Sequence, residues 1–303
     1  MTACRRLIPF AGAALLVFLM NSLSGCASFE SAPQRALMSY DLNFNTPVDA
    51  ALQTDVEAID ARLRAAFGMT PAQTAVGVLD LRRLRLAMIH PDRIEYAASV
   101  PKLGILLAYF ALNPGAATNL DVTTRHELGL MIKVSSNEMA AKYSRELGLK
   151  RIQEVLNGFA LYDTNHGGGI WVGKHYGRGD ERYVDPVGGH SHAATVRQLL
   201  RFYLKLEQGK WISAPASEAM RGIFASPAIA HEENKFVKGL SGREVQVLRK
   251  SGTWENWLHD TAVISGTGRH YIVVALTQHS RGDEYLVELA REVDDLLMKL
   301  RRR

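Results

Sequence analysis

At 303 residues the chain is long for one small domain and ordinary for one large α/β domain, and a hydrophobic fraction of 47% allows a sizeable core. The formal net charge is +5, with no dense basic run before Arg301, Arg302 and Arg303, so nucleic-acid binding has little support. Two cysteines occur, Cys4 and Cys26, and their positions matter more than their number.

Residues 1–25 read as an export signal, with a basic start at Arg5 and Arg6 and an apolar stretch from Leu7 to Met20 that is short for a membrane span. Leu23-Ser24-Gly25-Cys26 resembles the bacterial lipobox, whose cysteine is lipidated and becomes the new N-terminus. Cys4 then leaves with the signal, and no disulfide forms within the mature chain. The domain is expected outside the cytoplasm, at the periplasmic side of the cell envelope, attached to a membrane through lipid on Cys26; an uncleaved anchor is the alternative reading. Residues 26–47 are small, polar and aperiodic and read as a tether, leaving 48–303 as the folded domain.

Val48, Leu52, Val56, Ile59, Leu63 and Phe67 recur at helical spacing and open that domain with an amphipathic helix. Strand-like runs follow at Thr74–Leu81, Leu84–Ile89 and Ile94–Ala98, joined by short turns that suggest an antiparallel meander. Residues 119–159 are helical in character with a break near Val134–Asn137. Tyr162–His192 is Gly-rich and aperiodic, a long loop of the kind that usually carries function. Helices at Ala193–Leu206 and Ala216–Phe224, strands at Val245–Lys250, Asp260–Ser265 and His270–Gln278, and a closing helix at Asp283–Leu300 complete the order. Strands from both ends most simply join one antiparallel sheet, with the middle helices as a second layer or lobe and a site between them.

The chemistry starts at Tyr96–Leu112. From Val100 onward this stretch has no polar face and a single charge, Lys102, so it predicts a buried helix. Burial disfavours the ammonium form and can turn a lysine into a base near neutral pH. Ser99 stands one turn ahead, with Pro101 tolerated in the first helical turn, which is the spacing of a base-activated serine nucleophile. The plainer alternative is that Ser99 caps the helix while Lys102 snorkels to the surface. Two further elements bear on the choice. Ser135-Ser136-Asn137 lies in the break between helices, and Lys250-Ser251-Gly252-Thr253 ends the strand-like Val245–Leu248 run, where a glycine permits close approach of another backbone or a ligand.

In this order and context the three elements resemble the S-x-x-K, S-D-N and K-T-G set of the penicillin-recognising serine enzymes, the class A β-lactamases and penicillin-binding proteins. The resemblance covers about residues 48–300. It implies an α+β fold, a five-stranded antiparallel sheet flanked by helices plus a helical lobe. It also implies Ser99 as the acylated nucleophile, Lys102 as its proton-handling partner and Ser135 as a relay toward the leaving nitrogen. Asn137 would hold Lys102 and a substrate amide. Lys250, Ser251, Gly252 and Thr253 would meet a substrate carboxylate, and the backbone N–H groups of Ser99 and Thr253 would form the oxyanion hole.

Two departures stand out. Ser136 replaces the aspartate of S-D-N, and the loop lacks the E-x-x-L-N context from which class A enzymes take a deacylating glutamate. Glu181, and after it Asp180, are the nearest acidic candidates, against the alternative of a solvated charge pair.

His166-Gly167-Gly168-Gly169 looks like a lipase oxyanion element, yet no G-x-S-x-G elbow accompanies it. His190, His192 and Asp185 lack the spacing of a metal site, so no metal and no cofactor are expected. Trp171, Trp254 and Trp257 are candidates to line the cleft.

The leading expectation is a monomeric, lipid-anchored serine acyl hydrolase that opens β-lactams through an acyl-serine intermediate. A peptidoglycan D,D-peptidase with slow deacylation is the second reading, and a catalytically silent cell-wall binding lipoprotein the third.

Overall fold

The computed structural model of the chain describes residues 32–177 and 182–300. The export segment, Cys26, Asp180, Glu181 and the terminal arginines lie outside these residues. In chain order the elements are helix α1 (Ala32–Ser39), α2 (Ala50–Phe67), strands β1 (Thr74–Asp80), β2 (Arg85–Ile89) and β3 (Glu95–Tyr96), then α3 (Lys102–Leu112), α4 (Val122–Lys133), α5 (Asn137–Leu147) and α6 (Leu149–Gly158). There follow β4 (Tyr162–Asp163), β5 (Gly168–Gly169), β6 (Trp171–Val172), β7 (His192–Ala194), α7 (Val196–Glu207), α8 (Ala214–Ala225), α9 (Lys235–Gly239), β8 (Val245–Trp254), β9 (Trp257–Gly266), β10 (Arg269–Gln278) and α10 (Gly282–Leu300).

Strands from the two ends of the chain form one antiparallel sheet in the order β2-β1-β10-β9-β8. It is buried on both faces because its strands alternate two apolar sets. Val76, Val78, Tyr271, Val273, Ala262 and Ile264 pack with Leu52, Val56 and Leu63 of α2 and Leu286, Leu289 and Val293 of α10. Ala75, Leu79, Ile272, Val274 and Val263 face the opposite way, toward α3, α7 and the helical lobe. Gly77 permits the close seating of α7, since a Cβ there would lie 2.5 Å from Val196 Cγ1. Asp49 fixes the start of α2 by accepting from Leu52 N at 2.9 Å, and its bidentate bonds from Arg85 tie that helix to β2. The Arg85 bonds, with the helix N–H groups, hold its carboxyl down at about 2.

Three expectations are corrected. Residues 32–46, read as tether, are part of the body of the protein: Leu37 and Leu42 enter the core, and Gln208 donates to Leu37 O and Tyr40 O. Tyr40 packs beside these leucines on the core and Phe44 lies over the Arg197 guanidinium, so the segment is docked by apolar side chains as well as by backbone bonds. Ile94–Ala98 does not extend the meander; Glu95–Tyr96 leaves the main sheet and pairs with Ala193–Ala194, in a small sheet of order β3-β7-β6. The Lys250–Thr253 element does not end its strand but lies inside β8, which runs on to Trp254 and turns through Glu255 into β9.

Candidate active site

Ser99 stands in the turn between β3 and α3. Lys102 N donates to Ser99 O at 3.3 Å and Leu103 N to Val100 O at 3.1 Å, so the helix begins in a tight turn with Pro101 at its edge. Ala98, directly ahead of Ser99, has φ 48°, a conformation costly for alanine and common at functional sites. Ser99 is half-buried, and among the described residues neither its hydroxyl nor its N–H has a hydrogen-bond partner. It therefore does not cap the helix.

Nor does Lys102 snorkel. It is 0% exposed, and its Nζ donates to Ser135 O at 2.6 Å, Asn137 Oδ1 at 2.8 Å and Ser135 Oγ at 3.3 Å. Burial lowers its pKa to about 7. The amine is thus turned toward the second motif rather than bonded to the Ser99 hydroxyl. Ser135 is held at φ 60° between α4 and α5, while Ser136 caps α5 by accepting from Met139 N at 3.2 Å. The S-S-N element accordingly does two jobs, its middle residue starting the helix and its flanking residues binding Lys102.

Lys250 reaches the same point from β8. Its Nζ lies 2.9 Å from Ser135 Oγ and 2.6 Å from Ser251 O, completely buried. Burial first, and then the Lys102 charge, pushes its pKa well below the ordinary lysine value. Among the described residues no carboxylate stands within ion-pairing distance of Lys102 or Lys250. The Ser135 hydroxyl is therefore lodged between two amines. When both donate to its oxygen, its own proton is free to point elsewhere.

Gly252 lets β8 lie against the nucleophile turn: a Cβ there would sit 2.7 Å from Ala97 O and 3.0 Å from Val100 Cγ2. Thr253 is exposed beside it, and its Oγ1 accepts from Lys235 Nζ at 2.6 Å. Lys235 is 1% exposed, also donates to Gly252 O at 2.8 Å, and lies 3.7 Å from Asp283. Beneath it the buried Arg249–Asp260 pair, 2.7 Å apart, joins β8 to β9, and Asp260 also accepts from Phe236 N at the start of α9. His259 accepts from Thr277 N through Nδ1, so its Nε2–H donates to Tyr96 O at 2.8 Å and anchors the strand leading to Ser99. Burial holds this imidazole neutral, with a pKa of about 3.

The structure thus gathers Lys102, Ser135, Asn137 and Lys250 into one hydrogen-bonded group, with Ser99, Gly252 and Thr253 on the adjoining turn and strand edge. Glu181 falls outside the described residues. Two groups escape sequence reasoning, Lys235 and Tyr176, and a third, His192, is weighed there only as a metal ligand. The Tyr176 ring covers Lys102 Nζ at 4.5 Å and stacks on His192 at 4.3 Å. No periodic signal marks any of the three.

The other candidates find structural places. Asp185 accepts from Val187 N, Gly188 N, His190 N and the Tyr162 hydroxyl, organising the loop. His166 pairs with Asp163 and stacks on Phe44. Trp257 packs on Tyr96 and His190, and Trp254 is 57% exposed next to Thr253. Trp171 lines a cavity of about 650 Å³ with Leu149, Gln153 and His175, which includes none of Ser99, Lys102, Ser135 or Lys250. That cavity is larger than any chemistry assigned to it, and the motif cluster, not volume, locates the site.

An antiparallel five-stranded sheet between helical layers, with this lysine–serine cluster at its edge strand, is the architecture of the penicillin-recognising serine enzymes. Residues 112–299 match the model of the β-lactamase enzyme family, and the chain belongs to that family. The matched span includes Ser135, Asn137 and Lys250–Thr253; Ser99 and Lys102 precede it. No curated protein sequence matches the chain.

Among solved structures, a β-lactamase from Sphaerobacter thermophilus is similar with a TM-score of 0.64 at 16% identity, covering 80% of this chain and 97% of that one. A variant of the reconstructed class A β-lactamase of the last common ancestor of Gram-negative bacteria gives 0.63 at 18%, covering 81% and 99%. A PBP-A variant solved as an acyl-enzyme complex with penicillin G gives 0.61 at 15%, covering 80% and 97%. At these identities the likeness is one of fold.

Proposed function

We propose that the protein is a serine acyl-transfer enzyme of the β-lactamase type, acylated on Ser99 by β-lactams or by cell-wall peptides of the same shape. The observation that carries this reading is the Ser135 hydroxyl, 3.3 Å from Lys102 Nζ and 2.9 Å from Lys250 Nζ, which unites all three motifs around one oxygen. A neutral Lys102 can spend its two N–H bonds on Ser135 O and Asn137 Oδ1, leaving its lone pair for a hydroxyl proton. Ser99 then attacks the carbonyl as Lys102 takes its proton, and Ser135, supported by Lys250, delivers a proton to the departing nitrogen. The Ser99 and Thr253 N–H groups stabilise the oxyanion. Buried Lys250 and Lys235 place their amines beneath Ser251 and Thr253, where a substrate carboxylate would favour their charged forms. Incubation with a fluorescent penicillin, followed by intact mass over time, tests this: an adduct on the parent that is absent from Ser99→Ala supports it, and no adduct on the parent refutes it.

A slowly deacylating D,D-peptidase is the second reading, favoured by Ser136 in place of the aspartate of S-D-N and by the lack of an E-x-x-L-N context in the loop. Glu181 is the candidate hydrolytic base. If it acts so, Glu181→Gln leaves acylation fast while the adduct persists, and parent-like turnover by the variant rejects it. Export and lipid attachment at Cys26 complete the proposal; retention of Cys26→Ser in the membrane fraction would demand another anchor.

A further inference from the structure

The Lys102 amine is enclosed by neutral oxygens and one aromatic face, with the Lys250 amine across Ser135 Oγ and the neutral His192 nearby. From α5 and its approach come Ser135 and Asn137, from β8 comes the Lys250 amine, and from β7 the neutral His192, whose pKa burial lowers to about 4. The remaining wall is Tyr176, whose ring lies 4.5 Å from Lys102 Nζ. The same residue reaches the nucleophile turn, its hydroxyl donating to Ala98 O at 3.2 Å. It is backed by His192, whose ring lies 4.3 Å away at 32° and whose Nε2 bonds to Lys174 O at 3.0 Å. His192 O in turn accepts from Ala97 N at 2.9 Å, so the small β3–β7 sheet holds the tyrosine and the nucleophile turn in one frame.

We propose that Tyr176 is a positioning residue for acylation, its ring face seating the Lys102 amine and its hydroxyl holding the strained backbone on which Ser99 stands; this rests on the acyl-serine reading above. The negative face of the ring adds to the Ser135 and Asn137 oxygens in favouring the Lys102 ammonium form against burial. The tie to Ala98 O meets the chain where φ is 48°, one residue before the nucleophile, where a small loss of order displaces the attacking oxygen.

Two variants separate the two contacts. Tyr176→Phe keeps the ring and removes the tie. Tyr176→Leu keeps an apolar cover and removes the ring face, and Tyr176→Met serves where the leucine variant does not fold. The full chain, with lysines ¹³C-labelled at Cε and Lys102 assigned through Lys102→Arg, is titrated by NMR without substrate. Acylation by a fluorescent penicillin is timed over the same pH range. Tyr176→Phe is expected to leave the Lys102 midpoint in place and slow acylation several-fold. The ringless variants are expected to move the midpoint down by about half a unit to one unit. An unmoved or raised midpoint in the ringless variants overturns the seating of Lys102, and parent-like acylation of Tyr176→Phe overturns the tie. Should the parent form no adduct at all, the acyl-serine reading fails, while the NMR midpoints still decide whether Tyr176 seats the amine.

Discussion

Lys250 Nζ lies 2.9 Å from Ser135 Oγ, although the two residues come from different layers of the fold. This bond closes the gap between sheet and helical lobe at the point where chemistry is proposed. Removing the oxygen should leave two amines facing each other without the hydroxyl that accepts from both. Ser135→Ala is therefore expected to slow acylation by about 10²- to 10⁴-fold, the range of a positioned proton donor. Stopped-flow acylation with a chromogenic cephalosporin measures it, and a loss below about tenfold would remove Ser135 from the relay.

The lowered pKa of Lys102 gives two pH signatures. A base must be neutral, so acylation should rise through pH 7 and be roughly tenfold slower at pH 6 than at pH 8. Stability moves in the same direction for a separate reason. Between about 7 and 10.5 the folded lysine is neutral while the unfolded one still holds its proton, so stability rises with pH across that window. Below pH 7 both states are protonated and the cost of the buried charge is felt in full, at most about 5 kcal/mol for this shift. Lys102→Met should thus raise the unfolding midpoint more at pH 6 than at pH 10, which thermal melts at the two pH values check.

Gly252→Ala probes the contact between β8 and the nucleophile turn. The added Cβ would press on Ala97 O at 2.7 Å, backbone that cannot swing aside. We expect a stability loss of about 1–3 kcal/mol and a larger proportional loss in acylation, because the strand edge is pushed from Ser99. Urea unfolding and adduct timing on one sample compare the two.

Asp260→Ala tests what lies beneath the site. It would leave Arg249 buried and uncompensated and free the N–H of Phe236, at a cost of about 3–5 kcal/mol. Equilibrium unfolding in urea gives the value, and Lys235 should lose order along with α9.

Lys102, the Ser99 turn ahead of it and the joining of strands from both ends of the chain in one sheet are legible in the sequence because each breaks or keeps a pattern plainly. A lone lysine in an apolar helix is conspicuous, and β1 and β10 carry runs without a charged or polar side chain over residues 75–79 and 271–276, Tyr271 apart. Lys235 left no such mark, since its helix has five residues and too little length for periodicity. Tyr176 sits in a Gly-rich stretch whose order comes from a two-residue strand pairing and a stacked histidine, contacts that no local spacing encodes. The polar and small residues from Lys250 onward predict an early end to β8, whereas the strand runs on to Trp254. Lys250 and Gly252 share one face of this edge strand, where the one meets Ser135 and the other lies against the nucleophile turn, so neither is a large apolar residue. Ile94–Ala98 has the composition of a strand, but its partner lies in the distant 192–194 segment.

The docking of Leu37 and Leu42 alters the reach of the molecule. A free segment from Cys26 to Pro47 could span about 70 Å, whereas five residues separate Cys26 from the start of α1 and extend to about 20 Å. A lipid on Cys26 would then act as a short leash, keeping the body of the enzyme grazing the bilayer. With that lipid in place its working volume would be a thin shell at the membrane surface, set by a docked segment rather than by the length of a free one.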